Sequence, residues 1–395
     1  MRICKIWDSE YPWDVRVEKV SRALSAAGHE VHLVARNRRA EPILETTPGL
    51  TIHRLASWKW AGRLGNASMF PAFFNPRWLN AITATARDTR ADLLLCRDLP
   101  LAPTAVWAGR RLGRRVVLDM AENYPAMTQS LWDAGVQKRW DWLVRNPRMV
   151  SAVERWVLRH IDHVLVVVEE SRDRLIGLGV PEERITIVGN TPALDRLRAV
   201  PPKVHRDGAP LRLIYLGLLE APRGLEVVLR GLAACRQNGM AVELAIIGEG
   251  RERTAFEALS AELRLDSSVV QFRGFVPYDS AVIALQQADI GLVPHLANPS
   301  WNTTIPNKLF DYMAAGLAVI TSDAKPAARV VRETGAGEVY PDRDPEALAA
   351  AVARLADVAH RARCGAQGRE AVARRYNWEN DSARLVAAIE LINQG

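Results

Sequence analysis

Residues 302–316, Asn-Thr-Thr-Ile-Pro-Asn-Lys-Leu-Phe-Asp-Tyr-Met-Ala-Ala-Gly, place a lysine and a carboxylate where both can do chemistry. Lys308 and the free N–H groups of a helix start suit an anion. Asp311, one turn in, suits the hydroxyls of a ribose. A capped core helix with two solvated charges fits the same residues, and the segment alone leaves both readings open. Apolar runs flank it, Ala288-Asp-Ile-Gly-Leu-Val-Pro-His295 before and Leu317-Ala-Val-Ile-Thr-Ser-Asp323 after. Such runs predict buried parallel strands. A loop that enters a helix at the carboxyl end of a parallel strand is where open α/β sheets bind ligands. His295 ends one of these strands, either bordering a pocket or buried as a structural side chain.

Similar junctions recur upstream. Tyr215-Leu-Gly217 ends an apolar run, and Arg223-Gly224 opens the next helix. Gly224 permits close backbone approach and Arg223 can grip a phosphate with two parallel bonds. Ile247-Gly-Glu-Gly250 sets Glu249 at a strand end, for a sugar or ribose hydroxyl or for capping the next helix. Phe272-Arg-Gly-Phe-Val276 offers backbone and apolar surface to a flat base. Asp342-Arg-Asp344 has the spacing of a metal-binding acid pair, but the Pro345 that follows predicts a capping turn.

The elements that must position these residues alternate strand and helix. In the first half, strands are predicted at Arg2–Trp7, Glu30–Ala35, Leu50–Leu55, Leu93–Cys96, Val116–Asp119 and Val164–Val168, with a shorter one at Thr186–Val188. A helix at 17–27 stops at Gly28. Val200–Pro210 is rich in proline and polar residues and predicts a linker. After it, strands are predicted at Leu211–Leu216, Val242–Ile247, Val269–Arg273, Ile290–Pro294 and Leu317–Thr321, with helices between them and another at 345–356. The expectation is two doubly wound α/β domains in tandem.

Composition narrows the function classes. The 395 residues carry a net charge of +7, and residues 1–200 alone carry +8 and ten of the twelve tryptophans. A basic, Trp-rich half suits an anionic membrane surface or lipid acceptor. In Ser57–Leu79, Trp58, Trp60, Phe73 and their aromatic neighbours interleave with Lys59, Arg63 and Arg77, which fits membrane contact or a loop packed on its own domain. No nucleic-acid-binding motif is visible. Cys4, Cys96, Cys235 and Cys364 are scattered, against zinc or a disulfide framework and for a reducing compartment. The N-terminus turns polar at Asp8, too early for a signal peptide, and no apolar run is long enough to span a membrane.

The ordered series Tyr215-Leu-Gly, Pro222-Arg-Gly-Leu, Ile247-Gly-Glu-Gly, Phe272-Arg-Gly-Phe-Val and Pro306-Asn-Lys-Leu-Phe-Asp-Tyr-Met-Ala-Ala-Gly resembles the retaining GT-B glycosyltransferases of group 1, family four. Its last piece is similar to the subgroup carrying PNKLFEYMAAG. Tyr11-Pro-Trp-Asp-Val-Arg-Val-Glu-Lys19 and Gly28-His-Glu-Val31 resemble the acceptor domain of members that assemble polysaccharides. The resemblance implies two Rossmann-like domains facing a cleft. Residues 1–200 would bind acceptor and 201–377 a nucleotide-sugar donor, with a last helix at 378–393 that packs back on the first domain.

By that resemblance Arg223 and Lys308 are the diphosphate pair and Asp311 holds the ribose. Gly217, Gly248, Glu249, Phe275, Val276, Thr303, Thr304 and Asn307 complete the donor site. Asp14, Arg16 and Glu122 serve the acceptor, and Glu122 joins Arg223 and Lys308 as catalytic. Membrane contact falls to Trp58, Trp60, Arg63, Phe73 and Arg77. Three positions depart from the family pattern: Leu218 replaces an arginine, Thr303 the first of two acids, and Ala121 a histidine. The implied activity is retaining transfer of a sugar to a lipid-linked or glycan acceptor in cell-surface polysaccharide biosynthesis, with no metal or other cofactor, at the inner face of the membrane. A nucleotide-sugar 2-epimerase and a silent nucleotide-binding scaffold are the rivals on the same fold.

Overall fold

The computed structural model describes residues 1–12, 14–56, 70, 73–133, 135, 146–195 and 210–394. The chain divides into two compact units, Met1–Gly189 with Asp381–Gly395, and Asn190–Asn380. The stretch that predicts a linker lies almost wholly outside the described residues.

The first unit is built on eight strands: β1 (Arg2–Ile6), β2 (Glu30–Ala35), β3 (Leu44–Thr47), β4 (Leu50–Arg54), β5 (Leu93–Arg97), β6 (Arg115–Met120), β7 (His163–Val166) and β8 (Ile185–Ile187). Their order is β3-β4-β2-β1-β5-β6-β7-β8. All neighbours are parallel except β3 and β4. Leu-Leu-Leu-Cys-Arg of β5 is buried throughout, as a strand covered on both faces requires. Chain order reverses between β1 and β5, which makes their carboxyl ends the natural crevice. Asp14 starts the helix Val15–Ala26 by accepting from the N–H groups of Arg16 and Val17 at 2.8 and 3.1 Å. Asn75 caps the helix Pro76–Asp88 in the same way, and Trp78 from that helix is fully buried in the core. The final helix, Trp378–Gln394, buries Leu385 and Ile389, and its Arg384 Nε donates to Ile187 O at 3.1 Å.

The second unit holds β9 (Leu211–Leu216), β10 (Val242–Ile247), β11 (Val270–Gly274), β12 (Ile290–Val293), β13 (Ala318–Ser322) and β14 (Gly337–Tyr340). The order β11-β10-β9-β12-β13-β14 is parallel throughout and reverses between β9 and β12. Leu213, Tyr215, Leu244, Ile246, Leu292 and Ile320 form the centre of its core. The architecture is therefore two parallel-sheet α/β domains. Among the described residues, no helix is long and apolar enough to cross a membrane.

The sequence reading places no helix at Pro76–Asp88, Ala102–Leu112, Tyr124–Asp133, Pro147–Leu158 or Glu169–Gly177, and three elements of weak pattern also escape it. β3 is an exposed antiparallel edge strand with little apolar content. β14 has four residues, three of them half-exposed, so its pattern is weak. The helix Lys325–Thr334 precedes it and opens with proline in its first turn.

Candidate functional site

The switch point of the second unit gathers the residues singled out above. Past β9, Arg223 closes a short turn, and its Nη1 donates to His295 Nε2 at 3.0 Å. His295 lies just beyond β12 and is buried. Burial, then Lys308 and Arg223, hold its pKa well below the usual imidazole value, so the ring is neutral and can accept that bond. The Trp301 ring packs edge-on against His295 at 4.2 Å, and the Arg223 guanidinium lies 4.6 Å from the Trp301 ring centroid.

Lys308 sits across from this group. Its Nζ is buried, has no hydrogen-bond partner among the described residues, and rests 3.8 Å from the Tyr215 ring centroid. Burial, and then the Arg223 charge, push its pKa well below the ordinary lysine value. Gly217 makes room for it, since a Cβ there would stand 2.8 Å from Nζ. Gly248 is needed for a similar reason: a Cβ would meet Gly217 O at 1.9 Å. Tyr215 and Tyr312 brace the floor. Tyr215 Oη donates to Leu218 O, and Tyr312 Oη accepts from Leu216 N–H, each at 2.8 Å. Two cationic side chains thus lie within each other's field, and neither forms an ion pair among the described residues. That arrangement can take an anion.

The helix that carries Lys308 spans only seven residues, Lys308–Ala314. The sequence reading credited its N-terminus with anion binding; so short a helix has little macrodipole, and the side-chain charges carry the site. Asn307 precedes it, and Asp311 is half-buried one turn in. Thr303 lends its hydroxyl to the carbonyls of Pro299 and Ser300 at 3.0 and 3.1 Å, so it braces its own loop, and Thr304 beside it is buried. Glu249 pairs with Arg253 at the end of β10. Phe275 is 84% exposed beyond β11, with Val276 half-buried next to it. Asp344 caps the helix Pro345–Arg354 through Ala347 N–H at 2.9 Å, and Asp342 accepts from Ala297 N–H at 3.0 Å, so this acid pair is structural.

In the first unit the polar groups collect at the ends of β1, β5 and β6. Arg16 is fully buried. Its Nε and Nη2 donate to Asp119 at 2.7–3.1 Å and its Nη1 to Gly189 O at 3.0 Å. The guanidinium is thus held inside the domain by the Asp119 carboxylate. Asp14 is the helix cap, and its other oxygen lies 3.4 Å from Arg97 Nη2. Lys5, also fully buried, donates to Val17 O at 2.9 Å, and burial brings its pKa down to about 7.

Asp98 is the residue the sequence reading passed over. It follows β5 with φ of +61°, a conformation unusual for anything but glycine. Its Oδ1 accepts from Arg97 Nη1 at 2.8 Å and Ala121 N–H at 3.1 Å. Burial, with Asp119 and Glu122 nearby, raises its pKa to about 7. Glu122 is half-buried two residues past β6. The signal was present in the sequence as an acid directly after an apolar strand.

Of the residues read as membrane contacts, Trp58, Trp60 and Arg63 lie outside the described residues. Phe73 packs against the core of the first unit, and Arg77 bonds to Ala56 O. Phe74 and Trp107, each about half exposed, meet edge-on at 6.0 Å.

Comparison with known proteins matches both units. Residues 14–191 fit a glycosyl transferase 4-like domain, and residues 210–357 fit the glycosyl transferases group 1 model. A putative colanic acid biosynthesis glycosyltransferase of Salmonella typhimurium is 25% identical over 60% of this chain and 58% of its own. The phosphatidyl-myo-inositol mannosyltransferase of Mycolicibacterium smegmatis is 32% identical over 47% of each. The chain spans about half the length of the curated relatives it matches. Among solved structures, Anabaena HepE in complex with UDP has the same fold, with a TM-score of 0.72 over 99% of this chain and 100% of that one at 13% identity. The two domain matches and the doubly wound sheets agree: the chain belongs to the group 1 glycosyltransferases and has the GT-B type of fold.

Proposed function

We propose that the chain transfers a sugar, with retention, from a nucleoside-diphosphate sugar to a lipid-linked or glycan acceptor during assembly of a polysaccharide or glycolipid. One observation carries the reading: Arg223 and Lys308 lie within each other's field past β9 and β12, with no acidic partner among the described residues. Expelling a nucleoside diphosphate leaves negative charge on the departing oxygens. Fixed cations in a dry site stabilise that charge more in the transition state than in the ground state. His295 keeps the Arg223 fork in place, and Gly217 and Gly248 keep the backbone clear of it. Asp311 is assigned the ribose, Phe275 and Val276 the base, and Glu249, Thr304 and Asn307 the rest of the donor. Thr303 supports the loop. No metal is required, because the side-chain charges are supplied by the protein.

The acceptor is assigned to the first unit, with Glu122 and Asp98 at its polar edge and Asp14 and Arg16 holding the framework. Relatives named for colanic acid and phosphatidyl-myo-inositol support an acceptor of this kind. The basic charge of the first half and the exposed Phe74–Trp107 pair support a peripheral site on the inner face of the cell membrane. The test is turnover of a radiolabelled nucleotide sugar with membrane extract in EDTA. Label should enter the lipid or glycan fraction. Conversion to a second nucleotide sugar would establish the epimerase instead, and binding without turnover a silent scaffold.

A further inference from the structure

Among the described residues, Arg36 is a further largely buried cation whose side chain forms no ion pair. It follows β2, and only 9% of its surface is exposed. Its backbone N–H donates to Ser9 O at 3.1 Å, which ties the end of β2 to the loop after β1. Its side chain forms no hydrogen bond and no ion pair among the described residues, and Nε is wholly buried. A guanidinium whose Nε is buried and unpaired carries a cost until something joins it. Asp8, next to it in the loop, offsets part of its charge without closing a salt bridge. Arg38 and Glu10 add opposing fields from the two loops.

The rest of the rim offers acceptors for hydroxyl groups. Pairing of Ile6 with Val34 and with Cys96, and of Arg97 with Asp119, brings the ends of β2, β1, β5 and β6 to one edge. Asp98 spends only Oδ1 on protein donors, so Oδ2 is left for another. Among the described residues the Asp8 carboxylate bonds only to its own backbone. Tyr124 lies in the field of Asp98, Asp8, Arg97 and Glu122. A fork-shaped cation beside Asp8, with the spare oxygen of Asp98 on the same sheet edge, matches a sugar that carries an anionic group. The cation takes the anion in a bidentate grip, and the carboxylates take neighbouring hydroxyls.

Resting on the assignment of the acceptor to the first unit, we propose that Arg36 receives an anionic group of the acceptor sugar, and that Asp98 Oδ2 accepts from one of its hydroxyls. The anionic group is a carboxylate, as on a uronic acid, or a phosphate ester.

Calorimetric titrations of wild type, Arg36→Gln and Arg36→Lys test this, using methyl glucuronide, methyl glucoside and glucose 1-phosphate. Glucose 1-phosphate is added to protein already saturated with UDP, so that the second unit's cations are filled. The expected result is that at least one anionic sugar binds tighter than the neutral glucoside. Arg36→Gln should weaken that sugar by about tenfold or more, as loss of a charged hydrogen bond does, and leave the glucoside unchanged. Arg36→Lys should recover only part, since an ammonium lacks the fork. Loss confined to the glucuronide identifies a carboxylate; loss confined to glucose 1-phosphate identifies a phosphate. Neutral and anionic sugars binding alike, or an Arg36→Gln protein that is folded by circular dichroism and binds both anionic sugars normally, would overturn the proposal. UDP binding is recorded on all three proteins. If UDP fails to bind, the fault lies with the second unit, and the glucuronide arm still decides the role of Arg36.

Discussion

The two switch points use buried charge in opposite ways. In the first unit, Arg16 is matched to Asp119 by three hydrogen bonds, and Arg97 is shared between Asp98 and Asp14. In the second, Lys308 Nζ is buried without a hydrogen-bond partner, and Arg223 meets a neutral imidazole and an indole face but no carboxylate, among the described residues. A matched pair fixes a framework. An unmatched cation costs stability and is kept for a ligand. Burial alone therefore does not mark a charged residue as functional; the absence of its counter-ion does.

The comparison breaks most visibly if the matched pair is cut. Asp119→Ala leaves Arg16 buried and alone, which should destabilise the fold by about 3–5 kcal/mol. A chemical denaturation midpoint within error of wild type would show that the pair is not what holds this edge.

Lys308→Met should do the reverse. It removes an unmatched buried charge, so the ligand-free protein should gain stability. The folded-state pKa of Lys308 is depressed, so the unfolded chain binds the proton more readily and the native state gains as pH rises. The advantage of Lys308→Met should thus be full below the depressed folded-state pKa and shrink as the buffer rises towards the ordinary lysine value. A lysine variant less stable than wild type at neutral pH would mean that Lys308 has a structural partner after all.

A smaller effect sharpens the donor assignment. Asp311→Asn should weaken a ribonucleoside diphosphate by about 0.5–1.5 kcal/mol, the worth of an ordinary hydrogen bond, and leave the deoxyribose analogue less affected. Equal losses on the two nucleotides would remove Asp311 from the ribose. The smallest effect concerns the surface: Trp107→Ser should lower binding to anionic vesicles modestly while nucleotide binding holds. Vesicle binding indifferent to both the substitution and the lipid charge would dissociate the basic half from the membrane.

Much of this was legible in the residues. The apolar run Leu93–Cys96 falls in β5, because a strand buried on both faces reads as an unbroken apolar stretch, and Val242–Ile247 is β10 despite Glu243. Lys308, Arg223, Gly217 and Gly248 stand at strand ends, where local pattern and chemistry coincide. What stayed hidden depends on partners distant in sequence. Arg16 reads as an acceptor residue, and its bond to Asp119, 103 residues away, is invisible to spacing. Asp98 reads as a loop acid until its backbone angle and its bond to Ala121 are seen. Thr303 reads as a substitute for a missing acid until its hydroxyl is found bonded to its own loop. Spacing reports which residues sit near a crevice; it does not report which charges are already neutralised.

The central claim is that Arg223 and Lys308 wait for a diphosphate. Calorimetry of UDP and GDP binding, run in buffers of different ionisation enthalpy, tests it most directly. Lys308 has a depressed pKa when the site is empty, and an anion would raise it again. Binding should therefore take up protons from the buffer above neutral pH. Lys308→Ala should abolish that uptake and weaken the preferred nucleotide by about 1.5–3 kcal/mol, with Arg223→Ala weakening it similarly. Binding that exchanges no protons, and that survives both substitutions undiminished, would contradict the claim.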